Sequence, residues 1–161
     1  GTIKIIDANN YSEISTLTGI ISGRRTEKMQ FSPDGQLLVV QQEKTDFLKI
    51  LDATTNQVLD SIVIPTPQNK DMDIYDDMLY VCSSGGSLYK YDLNSRVLID
   101  SVSFTSSCDG VAVAPFGEIL YATTPVDTLV HAIDVQTLSV IRSIKATTRT
   151  ISKLIVSPEN Y

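Results

Sequence analysis

Apolar and polar positions alternate in short runs along this chain, and the clearest stretch is residues 31–64. Residues 37–40, 47–51 and 58–64 are short runs rich in β-branched and aromatic side chains, the first of them wholly apolar. Gly, Pro, Asp and Asn bound them, which predicts β-strands joined by tight turns. Phe31-Ser32-Pro33-Asp34-Gly35 closes a further strand and turns. Proline sets one φ of that turn and glycine supplies a positive one. No run of ten residues has helical apolar spacing without also fitting strand alternation, so no helix is expected.

The pattern repeats. Ile5-Ile6-Asp7, Ile50-Leu51-Asp52, Lys90-Tyr91-Asp92 and Ala132-Ile133-Asp134 recur every 40 to 45 residues. The residue four before each Asp is apolar: Ile3, Leu48, Leu88, Val130. Nine residues after each comes a hydroxyl (Thr16, Ser61, Ser101, Ser143), and ten after an aliphatic (Leu17, Ile62, Val102, Ile144). The proline turn returns as Val113-Ala114-Pro115-Phe116-Gly117 and as Val156-Ser157-Pro158-Glu159-Asn160, with a shortened copy at Ile74-Tyr75-Asp76-Asp77.

A four-stranded unit of this size cannot bury both faces alone, and such units stacked radially make a β-propeller. A β-sandwich also has short strands, but it needs no motif every ~42 residues. The expectation is an all-β propeller of four-stranded antiparallel blades, with about fifteen strands. Residues 1–18 would end one blade, 26–64, 69–104 and 109–146 would be whole blades, and 152–161 would start the next. That sum falls one strand short of even a four-bladed ring. The chain is therefore expected to be part of a larger ring, of seven blades for instance, or to be completed by a second chain. A small ring closed between its two ends is the alternative.

The segments 52–62, 109–115 and 134–144, with Leu79-Tyr80-Val81 and Leu120-Tyr121-Ala122, resemble the YVTN β-propeller repeats. WD-repeat proteins are near neighbours, but the chain has no Trp and no Gly-His dipeptide. The resemblance implies a rigid scaffold that binds proteins or ligands at one end of the ring. It also implies an alternative, since some YVTN-like relatives are lactonase-like enzymes. A secreted or cell-surface binding repeat is a third reading.

Composition narrows the partners. The balance of 19 acidic and 13 basic residues gives net −6, so affinity for the nucleic-acid backbone is not expected. No apolar run approaches a membrane span. The two cysteines, Cys82 and Cys108, form no C-x-x-C pair; read as thiols, they point to a reducing, intracellular compartment.

Candidate chemistry is sparse. His131, the single histidine, aligns with Lys4, Lys49 and Tyr89 and is expected on the surface. Asp71, Asp73, Asp76 and Asp77 form the densest acidic cluster. Strand alternation with an Asp-Asp turn explains them better than a Ca²⁺ loop does. Serines lie in no G-x-S-x-G elbow, and no phosphate-binding Gly loop precedes a helix. Neither a metal, a cofactor nor enzyme activity is expected.

Binding is expected on the rim where each fourth strand connects to the next innermost strand. Those connections carry Arg24, Arg25 and Lys28, then Lys70 and Asp71, then Asp109, then Arg149 and Lys153. The first is the longest, and added length in one loop of a repeat often carries function. The positive charge there points to an acidic segment of a partner protein.

Overall fold

The computed structural model describes residues 2–20, 25–66, 68–146, 153, 154 and 156. Among them are fourteen strands and no helix. The first two, β1 (Thr2–Ile6) and β2 (Glu13–Thr18), pair with each other alone. A four-stranded sheet follows: β3 (Thr26–Phe31), β4 (Leu37–Gln42), β5 (Phe47–Asp52) and β6 (Val58–Val63). The next holds β7 (Asn69–Tyr75), β8 (Met78–Ser83), β9 (Ser87–Asp92) and β10 (Leu98–Ser103). The last holds β11 (Gly110–Val113), β12 (Ile119–Thr124), β13 (Leu129–Asp134) and β14 (Val140–Lys145). Every pairing is antiparallel and joins consecutive strands, as in propeller blades. The strand expected at 152–157 falls largely outside the described residues.

The repeated aspartates build one turn four times. Each lies at or just after the end of a third strand and accepts backbone N–H groups two or three residues on. Asn9 donates to Asp7 at 2.7 Å, Thr55 to Asp52 at 2.6 Å, Ser95 to Asp92 at 2.7 Å and Thr137 to Asp134 at 2.8 Å. The residue four after each Asp has positive φ: Tyr11, Asn56, Arg96 and Leu138. In each fourth strand one residue bulges out of register, namely Ile14, Leu59, Ile99 and Ile141. The bulge is what places the hydroxyl opposite the third strand: Lys4 faces Thr16, Lys49 Ser61, Tyr89 Ser101 and His131 Ser143.

The sheets stack face to face. Val39, Leu48, Ile50, Ile62 and Ile64 of the first whole blade meet Met72, Ile74, Leu79 and Val81 of the second. Tyr80, Cys82 and Leu88 of the second meet Val111, Val113, Leu120 and Ile133 of the third. Ile3 and Ile20 meet Leu38, Val40 and Leu51. At Gly117, in the third proline-type turn, a Cβ would come 2.1 Å from the Tyr75 ring of the neighbouring blade, and φ there is +71°.

Two expectations are corrected. Cys82 and Cys108 form a disulfide with Cα atoms 5.1 Å apart, so neither is a thiol, and the ground for a reducing compartment falls away. Cys82 lies on β8 and Cys108 in the connection leaving the same blade, which returns past that strand's end; the Cys108 N–H donates to Ser83 O at 3.1 Å. His131 is 7% exposed, not on the surface. Phe104, arriving from the preceding blade's connection, stacks on its ring at 4.6 Å.

Candidate rim site

The innermost strands β3, β7 and β11 run side by side, and their alternate side chains tie one blade to the next. Lys28 Nζ lies 3.2 Å from Asp71 Oδ1 and also donates to Met72 O. Gln30 donates to Asp73 at 2.8 Å. The other oxygens of the two carboxylates accept backbone N–H groups of the third blade: Val111 to Asp71 at 3.1 Å, and Val113 to Asp73 at 2.8 Å. The acidic cluster is thus an inner strand, and Asp76 and Asp77 form the two-residue turn between Tyr75 and Met78.

Above this layer is a cavity of about 240 Å³. It is lined by Glu27, Glu43, Lys44, Lys70, Asp109 and Lys153, with Gln68 and Asn69. Glu27 and Lys70 are the residues that bulge out of register in β3 and β7, between Thr26 and Lys28 and between Asn69 and Asp71. A bulge re-aims its side chain, and here both turn into the cavity. Asp109 holds the corresponding place ahead of β11 and accepts from the Ser107 hydroxyl. Gln41 donates to Asn69 at 3.2 Å, and Asn69 to Phe47 O at 3.1 Å, fixing the wall.

The residues expected on the rim divide. Lys70, Asp109 and Lys153 come together in the cavity. Lys28 and buried Asp71 lie below it, paired. Arg25 is drawn to Glu27 at 3.2 Å and Glu43 at 3.6 Å. Arg24 and Arg149 lie outside the described residues. Among described lining residues three are acidic and three basic, so the cavity is mixed in charge rather than basic. Glu43 and Lys44 escaped the sequence reading. They sit in the turn from β4 to β5, and second-to-third strand turns open on the same rim; that topology was the signal.

His131 makes the chain's one histidine–hydroxyl constellation. Nε2 is 2.9 Å from Thr124 Oγ1 and Nδ1 is 2.8 Å from Ser143 Oγ. Burial holds its pKa below the ordinary 6.5, with Asp127 pulling the other way. Burial likewise pushes the Tyr80 and Tyr91 phenols up to about 12. Among the described residues no three His, Cys, Asp or Glu side chains gather where they could hold a metal, and no helix is long and apolar enough to cross a membrane.

No protein-family model matches the chain, and no curated protein matches it. Among solved structures it is similar to a chain in the crystal structure of a mitotic checkpoint complex, with a TM-score of 0.81 at 16% identity. That match covers 94% of this chain and 46% of the other. It is also similar to a chain of Kuenenia stuttgartiensis hydrazine synthase, with a TM-score of 0.72 at 20% identity, over 84% of this chain and 42% of that one. The chain thus spans less than half the length of these two. At such identities the likeness speaks for the fold alone, and a checkpoint assembly beside a synthase illustrates how one fold serves unrelated functions. What the chain shares with both is a β-propeller architecture of four-stranded antiparallel blades.

Proposed function

We propose that this chain is a non-catalytic propeller scaffold, akin to the YVTN repeats, that holds partner proteins at the rim cavity. The observation that carries this reading is the pair of bulges that turns Glu27 and Lys70 into one cavity, with Asp109 in the corresponding place. Side chains re-aimed at the same point in successive repeats make a surface that varies by substitution while the blades stay fixed. The likeness to a chain from a multi-protein complex is in keeping with this role. So is the placement of His131, which is buried beneath Phe104 with both ring nitrogens bonded to hydroxyls and does not line the cavity.

Lys70 and Lys153 have no ion pair among the described residues, whereas Arg25 and Lys28 do. They are the groups that would meet an acidic residue of the partner. Fluorescence anisotropy with labelled Glu-rich peptides tests this. The double variant Lys70→Glu, Lys153→Glu should bind about tenfold more weakly, since each exposed ion pair is worth up to ~1 kcal/mol. Its binding should also depend less on salt. Equal affinity and equal salt dependence in the variant would place the site elsewhere.

A further inference from the structure

The repeated Asp turn differs in its first copy. Three residues after the Asp stands Asn10, where the later copies carry the hydroxyls of Thr55, Ser95 and Thr137. Ser12 follows two residues on, so Asn10-Tyr11-Ser12 has the N-x-S pattern of an N-glycan acceptor. No other asparagine in the sequence is followed two residues on by Ser or Thr. A three-residue motif is common by chance, and its setting decides what it can do.

Asn10 and Ser12 are both exposed. The exposure belongs to the turn and not to its place near the start of the sequence. Thr55, Ser95 and Thr137 are exposed too, as are Gln57, Val97 and Ser139, including in blades with a neighbour on both sides. Asp7 accepts the backbone N–H groups of Asn9 at 2.7 Å and Asn10 at 3.3 Å. Asn10 Oδ1 in turn accepts the Ser12 N–H at 2.8 Å. This Asx turn holds the Asn10 carboxamide against Ser12, and Nδ2 donates to no acceptor among the described residues. The Cys82–Cys108 bond is an independent observation. Disulfides persist in oxidising compartments, which are where secreted chains receive N-glycans.

We propose that Asn10 is an N-glycosylation site. The co-reactant is an oligosaccharide carried on a lipid pyrophosphate. Asn10 Nδ2 forms a bond to the anomeric carbon of the first sugar. The bond from that carbon to the pyrophosphate oxygen breaks, and its electron pair leaves with the lipid pyrophosphate. One amide proton passes to a base of the transferring enzyme, which reads the Ser12 hydroxyl beside the amide. The turn lies at the far end of the third strand from the rim cavity, so a glycan there leaves the cavity clear.

Mass spectrometry of the protein purified from the cells that make it tests this. Trypsin releases residues 5–24 as one peptide, between Lys4 and Arg25. That peptide should be heavier by a series of whole sugars, and electron-transfer fragmentation should put them on Asn10. Ser12→Ala removes the hydroxyl but keeps the N–H that closes the turn. It should lose the added mass while the far-ultraviolet circular dichroism stays that of a β-protein, and Ser12→Thr should keep the added mass. A peptide found only at its unmodified mass, or a modification that survives Ser12→Ala, overturns the proposal.

Discussion

At the scale of single residues, the repeat is held in place by local chemistry that tolerates varied side chains. Asp52, Asp92 and Asp134 have lowered pKa values, first because backbone N–H groups of Thr55, Ser95 and Thr137 donate to them. The Asp was readable from spacing. The positive-φ residue was not, because Tyr11, Asn56, Arg96 and Leu138 share no chemistry and none is glycine. His131 defeated the sequence reading for a different reason: alignment put it on a polar register position, and the ring of Phe104 that stacks over it arrives from another blade. Its pKa is depressed, so the unfolded chain takes up a proton that the folded chain refuses. Stability is then lost as pH falls through 6.5 toward the folded value. Thermal melts between about pH 7 and about pH 5 should show a falling midpoint. His131→Gln, which keeps polar atoms near Thr124 and Ser143, should flatten that slope; an equal slope in the variant would assign it to other groups.

At the scale of elements, the inner strands do more than complete their sheets. The edge of β11 would leave the Val111 and Val113 N–H groups without acceptors, and Val111 is 1% exposed. Asp71 and Asp73 fill that need across the gap between blades. Asp71→Ala should therefore cost about 2–4 kcal/mol, because it strands a buried donor and the Lys28 ammonium together. Urea denaturation measures this, and Asp71→Asn should recover part of the loss. A cost within error of zero would mean that water replaces the carboxylate. Alternation in the sequence was enough to place β7 and its Asp-Asp turn. It could not say what the carboxylates hold, because Val111 and Val113 lie 40 residues further on. Nor does any local signal mark the bulges that aim Glu27 and Lys70, since a bulge inserts a residue without changing composition.

At the scale of the whole molecule, periodicity made the architecture legible, while contacts that depend on closing the chain back on itself stayed hidden. The Cys82–Cys108 bond is the clearest case, because only the path of the connection brings the two together. It closes a loop of 26 residues, a constraint worth about 3–4 kcal/mol by loop entropy. Unreduced protein opened in denaturant should show no reactive thiol, and Cys108→Ser should lower the unfolding midpoint accordingly; two reactive thiols would mean the bond does not form. The ties between inner strands reach further than stability, because they give the repeats a fixed order. The edge of β11 is satisfied by the blade before it, and that of β7 by its own Asp71 and Asp73, so the partners are not interchangeable. If recombination removed the second whole blade, β3 would meet β11, and Lys28 would face the Val111 N–H where Asp71 now stands. Two donors would oppose each other, with no acceptor for either. Duplication and loss of repeats, the ordinary route by which such arrays change length, is therefore restricted here to exchanges that carry the Asp71 and Asp73 strand together with the blade that follows it.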